Sequence, residues 1–182
     1  MNIDVVFVAV LLAFAAGSVF AAVFILTKFT AEKIGVMEKI PRNVPLGVIF
    51  GAAAIAWCVP QAVAVFSADS TWGYVTAAII CFLIGCFFLD YLFARAFAGF
   101  SILLSHYFLY QSFAADIPFL WLFSLAFLTF GTFGIVIGGV PHLLRELIRK
   151  ACLNAFLKKV LFCIFMFYAL ICVYAAAMQM VK

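Results

Sequence analysis

Few residues of this chain could carry chemistry, and the best placed of them is a histidine. His106 lies near the middle of a long apolar run, and Tyr110 follows four residues later, which puts both side chains on one face of a helix. Ionisable groups inside a membrane are functional candidates because they are expensive there. An imidazole changes its charge near neutral pH, so His106 could carry protons or hydrogen-bond a polar solute.

Three further polar residues lie within or beside apolar runs. Gln61 directly follows a proline, which is expected to kink a helix because it removes one backbone hydrogen bond. Asp90 and Arg95 are the only Asp, Glu, Lys or Arg residues in the stretch 73–115, and we expect them to form a pair at the cytoplasmic interface. Together with the histidine, these residues could line a path for a transported solute.

The sequence lacks any pattern of catalytic specificity. It contains no HExxH, no Walker loop, no nucleophile elbow and no cluster of Asp or Glu for a divalent metal. A bis-histidine haem needs a second histidine at the depth of His106, but His142, the only other one, lies at the edge of an apolar run. We therefore expect no catalytic residue, no metal site and no cofactor, haem included.

The composition excludes an ordinary soluble domain. Of the 182 residues, 70% are hydrophobic and 10% are charged, whereas soluble domains have about 25% charged residues. A soluble protein of this size could not bury so much apolar surface, so the surrounding solvent must be lipid. The net charge of +4 comes from short connections beside apolar runs, which indicates membrane topology rather than binding to nucleic acid.

The apolar runs predict an all-α polytopic integral membrane protein, with a single transmembrane domain over residues 1–182. A helix needs about 20 apolar residues to span a bilayer, and the chain divides into a bundle of six such helices. The predicted spans are residues 5–27, 44–66, 73–89, 96–113, 119–140 and 160–180. The turn between the third and fourth spans is placed at residues 90–95, where the charges lie.

Two connections, residues 28–43 and 141–159, hold four and five basic residues respectively. In each of them apolar residues recur at helical spacing opposite the charges, which predicts an amphipathic helix on the membrane surface. The apolar face of the first consists of Phe29, Val36, Met37 and Ile40. The basic residues of the second, expected to meet anionic lipid head groups, are Arg145, Arg149, Lys150, Lys158 and Lys159.

The basic residues also predict how the chain is threaded. Ten of the eleven fall in alternate connections, and Lys and Arg remain on the cytoplasmic side during insertion. The two amphipathic segments are therefore expected in the cytoplasm and both termini on the opposite side. We place the protein in a bacterial inner membrane.

Small residues at a spacing of four predict close contacts between helices, because they allow two backbones to approach. Two glycine pairs have this spacing: Gly47 with Gly51, and Gly134 with Gly138. The first span carries a similar stripe, which is expected to meet another helix: Ala9, Ala13, Gly17 and Ala21.

Two classes of function fit these observations. The first is a non-catalytic subunit, meaning a scaffold, anchor or assembly partner within a larger membrane complex or a homo-oligomer; the scarcity of polar residues in the spans favours it. The second is a small transporter or channel that uses the polar residues of the second to fourth spans. A membrane-embedded enzyme or haem protein is the third possibility.

Overall fold

Over the residues that it describes, 3–66, 71–88, 90–115, 117 and 119–181, the computed structural model of this protein is built of helices, and it contains no strand there. The predicted all-α class is therefore confirmed. The α-helices are α1 (Ile3–Lys28), α2 (Ile34–Met37), α3 (Val44–Phe66), α4 (Thr71–Phe88), α5 (Leu92–Ala114), α6 (Leu120–Gly139), α7 (His142–Leu153) and α8 (Ala155–Val181). Two short 3-10 helices, Ala31–Lys33 and Ile40–Arg42, flank α2.

Five helical segments among the described residues are long and apolar enough to cross a membrane. They contain α1, α3, α5, α6 and α8, and they mark the chain as a membrane protein. The third predicted span corresponds to α4, whose described apolar stretch, Trp72–Phe87, is shorter.

The chain divides into two compact units. Unit 1 comprises Met1–Glu38, Tyr107–Thr129 and Glu146–Lys182, and unit 2 comprises Lys39–His106 and Phe130–Arg145. Each unit contains its own buried side chains.

The interior of unit 1 is filled by aromatic rings. Phe127 of α6 is fully buried, and its ring centroid lies 4.4 Å from that of Phe108, 4.6 Å from that of Phe123 and 5.5 Å from that of Phe14. Tilted and edge-to-face pairs at these distances are favourable because the positive edge of one ring meets the negative face of another. Rings from three helices, α1, α5 and α6, therefore hold this unit together.

Helix α1 packs along α8, but not through the stripe of small residues expected from the sequence. The buried residues of α1 follow the helical repeat at spacings of three or four: Phe7, Leu11, Ala15, Ser18, Ala22 and Ile25. Ala9, Ala13 and Gly17 are exposed, and no atom lies within 4 Å of where a Cβ on Gly17 would be. Among the described residues, no other helix covers these three positions, so the close approach of another helix along the stripe stays a prediction.

In unit 2, helices approach one another closely at glycine residues. A Cβ on Gly47 of α3 would lie 2.8 Å from the backbone nitrogen of Phe93 at the start of α5, which is closer than real Cβ contacts. A Cβ on Gly51 would lie 3.0 Å from the ring of Phe82 in α4. The two glycines therefore mark where α3 approaches α5 and α4 most closely.

Helix α6 approaches α5 in the same way. A Cβ on Gly134 would lie 3.0 Å from the carbonyl oxygen of Ala98, whereas at Gly138 the nearest atom would be at an ordinary 3.5 Å. Ala94 and Ala98 of α5 form a small buried cluster with Ile137 of α6. Gly134 is thus at a tight contact and Gly138 at a looser one.

Residues 141–159 do not form the single surface helix that the sequence predicts. Helix α7 ends at Leu153, and the side-chain oxygen of Asn154 accepts hydrogen bonds from the backbone N–H of Phe156, at 2.9 Å, and of Leu157, at 3.4 Å. Asparagine at this position caps the start of a helix because it satisfies donors that lack an intrahelical partner. Lys158 and Lys159 therefore belong to the first turns of α8.

The first basic connection is likewise not one continuous helix. Residues 31–42 form two 3-10 turns around the four-residue α2, and the chain buries Phe29, Met37 and Pro41 there. Val36, which was expected to share the apolar face, is exposed. Pro41 lies within the second 3-10 turn, in a position where its missing N–H breaks no α-helical bond.

Two helices begin directly after a residue in the left-handed backbone region that favours glycine. Tyr91 has a φ of 59° and precedes α5, and Phe119 has a φ of 60° and precedes α6. The turn before α5 is consequently shorter than the predicted 90–95, because the helix already begins at Leu92.

Candidate functional site

His106 and Tyr110 lie on the exposed face of α5. Tyr110 is 67% exposed, and His106 is exposed as well. Ile102 and Phe113 continue the same face at helical spacing and are also exposed. The two residues therefore share one exposed face of α5.

Gln61 belongs to α3, which continues as a helix past Pro60. The side chain of Gln61 lies outside the described residues, as do Asp69 and Asp116 of the two acidic connections. Their roles stay predictions.

Asp90 and Arg95 do not form the expected pair. Both are exposed, and in the described part of the chain no ion pair joins them. Asp90 precedes α5, whereas Arg95 lies in the first turn of α5, where its backbone N–H donates to the carbonyl oxygen of Tyr91. Asp90 lines a cavity of about 310 Å³ together with Arg42 and Tyr91, a neighbourhood that the sequence did not predict.

Arg42 and Tyr91 are joined directly. The Nη2 atom of Arg42 donates a hydrogen bond of 2.7 Å to the Tyr91 hydroxyl, and the guanidinium carbon lies 4.6 Å from the centre of the Tyr91 ring. Hydrogen bonding from Arg42, and then from Arg145, holds the pKa of Tyr91 below its usual 10.0, because both cations favour the phenolate. No local signal could have revealed this contact, since 49 residues separate the two partners.

Several basic residues expected to meet lipid head groups have protein partners. The Nε atom of Arg149 lies 3.6 Å from the Glu38 carboxylate, and Lys158 donates to the carbonyl oxygen of Phe29 at 3.3 Å. Lys150 and Lys159 are exposed. The lipid contact of this segment stays a prediction, and Lys150 and Lys159 are its most accessible members.

Cys152 lies beneath the charged surface of α7. Its side chain is buried, and burial raises the pKa of its thiol, because the thiolate would lose hydration there. A reactive cysteine needs a stabilised thiolate. The position of Cys152 instead fits a packing role.

Polar groups within the long helices bond to carbonyl oxygens. The hydroxyl groups of Ser101 and Ser112 donate to backbone oxygens of their own helix, at 2.7 and 2.8 Å. Tyr168 of α8 donates to the carbonyl oxygen of Ala126 at 2.9 Å, and its hydroxyl lies 3.0 Å from that of Thr129. The bond from Tyr168 connects two helices of unit 1, and sequence reasoning missed it.

No protein-family model, no curated protein and no solved structure matches this chain. Its function is therefore argued from its own residues. Within the described ranges, no group of three or more His, Cys, Asp or Glu residues could hold a metal ion.

A second cavity, of about 300 Å³, lies within unit 1 between α6 and α8. Its lining is almost wholly apolar and consists of Ile117, Phe119, Leu122, Phe123, Phe167, Leu170, Ile171, Tyr174 and Ala175. Such a lining suits a hydrocarbon chain rather than a polar solute, since it offers few hydrogen-bonding groups.

Proposed function

We propose that this protein is a non-catalytic integral membrane subunit, that is, a scaffold, anchor or assembly partner of a larger membrane complex. The observation that carries the proposal is the exposed position of His106 on α5. The proposal includes six membrane crossings in a bacterial inner membrane, with both termini on the non-cytoplasmic side.

An exposed imidazole near the middle of a spanning helix is costly in hydrocarbon, because the ring is polar and can take up a charge. Tyr110 adds a hydroxyl group to the same face one turn away. A helix of another chain lying across this face would cover both polar side chains and exclude lipid from them. Either a different subunit or a second copy of this chain could supply that helix.

The polar groups inside the spans support a structural role over transport. Ser101, Ser112 and Tyr168 use their hydroxyl groups on backbone carbonyls, as described above. A path for a polar solute needs such groups to face a water-filled cavity, and the cavity of unit 1 is apolar.

The six-span threading requires α4 to cross the membrane. Its 18 residues correspond to a length of roughly 27 Å at the α-helical rise, close to the ~30 Å hydrocarbon thickness. The burial pattern of α7 supports a position at the cytoplasmic surface of the membrane. Its apolar residues Ile148, Ala151 and Cys152 are buried, while the basic residues Arg149 and Lys150 are exposed.

A small transporter or channel is the second candidate, because Arg42, Asp90 and Tyr91 line a polar cavity. In that case purified protein in vesicles would move a solute by itself, and His106→Ala would abolish pH-dependent flux. A subunit would show no flux, and the same substitution would change only assembly or stability.

Site-specific photo-crosslinking in native membranes tests the proposed role. A photoreactive residue in place of Tyr110 should cross-link to another polypeptide, while one at Ile135 of α6, which is similarly exposed at 62%, is the matched control. Cross-linking at Tyr110 only to lipid, or equal protein cross-linking at both positions, would contradict a specific interface on α5.

A topology reporter tests the threading separately. A reporter active only in the cytoplasm should give no signal at the C-terminus and a strong signal when inserted after Lys150. The reverse pattern, or a signal at both positions, would refute six crossings with external termini.

A further inference from the structure

The cavity beside α3 and α5 in unit 2 carries groups of both charge signs. Arg42, Asp90 and Tyr91 supply its polar lining, and Val44, Cys86 and Leu92 supply the rest. With a volume of about 310 Å³, it is larger than a single water molecule or simple ion needs.

The backbone fixes the groups on both sides of this cavity. Arg42 ends a 3-10 turn, and the side chain of the following Asn43 accepts a hydrogen bond of 3.0 Å from Leu46, which caps α3. Tyr91 has its left-handed φ directly before α5. Because Gly47 brings α3 against the backbone at Phe93, the ends of these two helices are held together.

The positive side of the cavity suits a phosphate group. The Arg42 guanidinium presents a planar set of N–H donors that matches phosphate oxygens, and a tyrosine hydroxyl can donate another hydrogen bond. Arg145 adds a second cation beside Tyr91. Asp90, exposed at the same cavity, supplies the carboxylate that a primary ammonium group would require.

We propose that this cavity binds the phosphoethanolamine head group of a membrane lipid, with its phosphate on Arg42 and Tyr91 and its ammonium on Asp90. A head group that carries only a phosphate leaves Asp90 with a like charge, and choline has no N–H group to donate to it. The cavity lies at the ends of apolar helices, where head groups are found, and Val44 and Leu92 can contact the glycerol end. The inference requires a membrane but not the subunit role.

Lipid retention by the purified chain, measured by native mass spectrometry from nanodiscs, tests this site. We expect phosphatidylethanolamine to be retained about ten-fold over phosphatidylcholine and phosphatidylglycerol, since one charge-assisted hydrogen bond corresponds to a factor of this order. Equal retention of phosphatidylethanolamine and phosphatidylcholine would overturn the proposal.

Substitutions separate the two halves of the site. Arg42→Gln should lower retention of phosphatidylethanolamine about ten-fold, and Lys39→Gln, which removes a positive charge at an exposed position outside the cavity lining, should leave it unchanged. Asp90→Asn should abolish the preference for phosphatidylethanolamine over phosphatidylglycerol. An unchanged preference in Asp90→Asn would refute the ammonium contact.

Two further measurements serve as controls for these substitutions. Arg42→Lys retains a positive charge, so it should keep part of the binding, and an unchanged helical circular dichroism spectrum shows that each variant is folded.

Soluble O-phosphoethanolamine should compete only weakly, because it lacks the apolar part of the lipid. Complete displacement at equal concentration would identify a soluble ligand and refute a lipid. The assay uses the chain alone, so failure of the α5 interface would not alter its outcome.

Discussion

The two units of this protein differ in the residues that form their tightest contacts. In unit 1, rings occupy the interior, and Phe7, Phe108, Phe123 and Phe127 are all nearly inaccessible. In unit 2, small residues such as Gly47 and Gly134 lie at the closest contacts between helices. Larger side chains such as Leu104 and Ile137 are buried beside them, while the ring of Phe50 is partly exposed.

The contrast shows two solutions to one physical problem. Lipid tails are as apolar as the side chains, so helices in a membrane gain little from hiding apolar surface from water. Their association depends on close packing, which large interlocking rings or close backbone approach can each provide. Substitutions should therefore act by volume loss in unit 1 and by volume gain in unit 2.

The largest effect is expected from Phe127→Ala in unit 1. The substitution leaves a void among Phe14, Phe108 and Phe123, and we expect a loss of about 3 kcal/mol in the free energy of unfolding, the low end for a buried phenylalanine. Phe156→Ala, at an exposed ring of α8, is the control and should cost little. Thermal unfolding in detergent measures both, and equal losses would contradict a ring-filled interior.

Volume gain in unit 2 should have a smaller effect and should depend on position. In Gly134→Ala the new methyl group meets the Ala98 carbonyl oxygen at 3.0 Å, and we expect a loss of about 1 kcal/mol. Gly138→Ala, at 3.5 Å, should be tolerated, since alanine also favours the helix over glycine. Equal thermal stability of the two variants would show that the α5–α6 contact is not limited by backbone approach.

The interhelical hydrogen bonding of one hydroxyl group should contribute less again. Tyr168→Phe removes the bond to Ala126 and the contact with Thr129 while keeping the ring, and we expect a loss of about 0.6 kcal/mol, the average for interhelical hydrogen bonding in a membrane. Tyr174→Phe, on the same helix at an exposed ring, should be neutral. Measurement by chemical unfolding would reject the role of this bond if both variants behaved alike.

The smallest effect on stability is expected from the contact between Arg42 and Tyr91 in unit 2. This contact is better measured by titration of the Tyr91 hydroxyl. Arg42 hydrogen-bonds the Tyr91 hydroxyl and favours the phenolate, so Tyr91 should ionise at a lower pH than an ordinary tyrosine with a pKa of 10.0. Arg42→Gln should move that pKa back toward 10.0. The ultraviolet difference spectrum between each protein and its Tyr91→Phe counterpart isolates this group, and an unchanged titration would exclude the contact.

The sequence predicts the apolar helices well because their length is dictated by the bilayer. The second predicted span, residues 44–66, has the same limits as α3, and the fifth, 119–140, differs from α6 by one residue at each end. The start of α8 is missed by five residues, because Asn154 caps a helix that hydropathy alone would begin after the lysines.

Which face of a helix points inward could not be predicted. In a soluble protein, the buried face of a helix is apolar and the exposed face is polar. Both faces of α1 are apolar, so the sequence alone made a contact through Ala9 and Ala13 as plausible as one through Leu11 and Ala15. The polar contacts could not be predicted from the sequence for another reason. The cavity with Arg42, Asp90 and Tyr91 depends on chain segments far apart in sequence, while the nearer Asp90 and Arg95 suggested a pair that does not form.

The residues with a left-handed backbone before α5 and α6 should restrict which amino acids can replace them during evolution. At most lipid-facing positions, one apolar side chain can replace another, since the surroundings scarcely distinguish them. Tyr91 and Phe119 hold a backbone conformation that costs a residue with a Cβ about 1–2 kcal/mol. Glycine alone removes that cost, but it also removes the ring. Sequence drift should therefore be slowest at these two turns, although neither lies within a spanning helix.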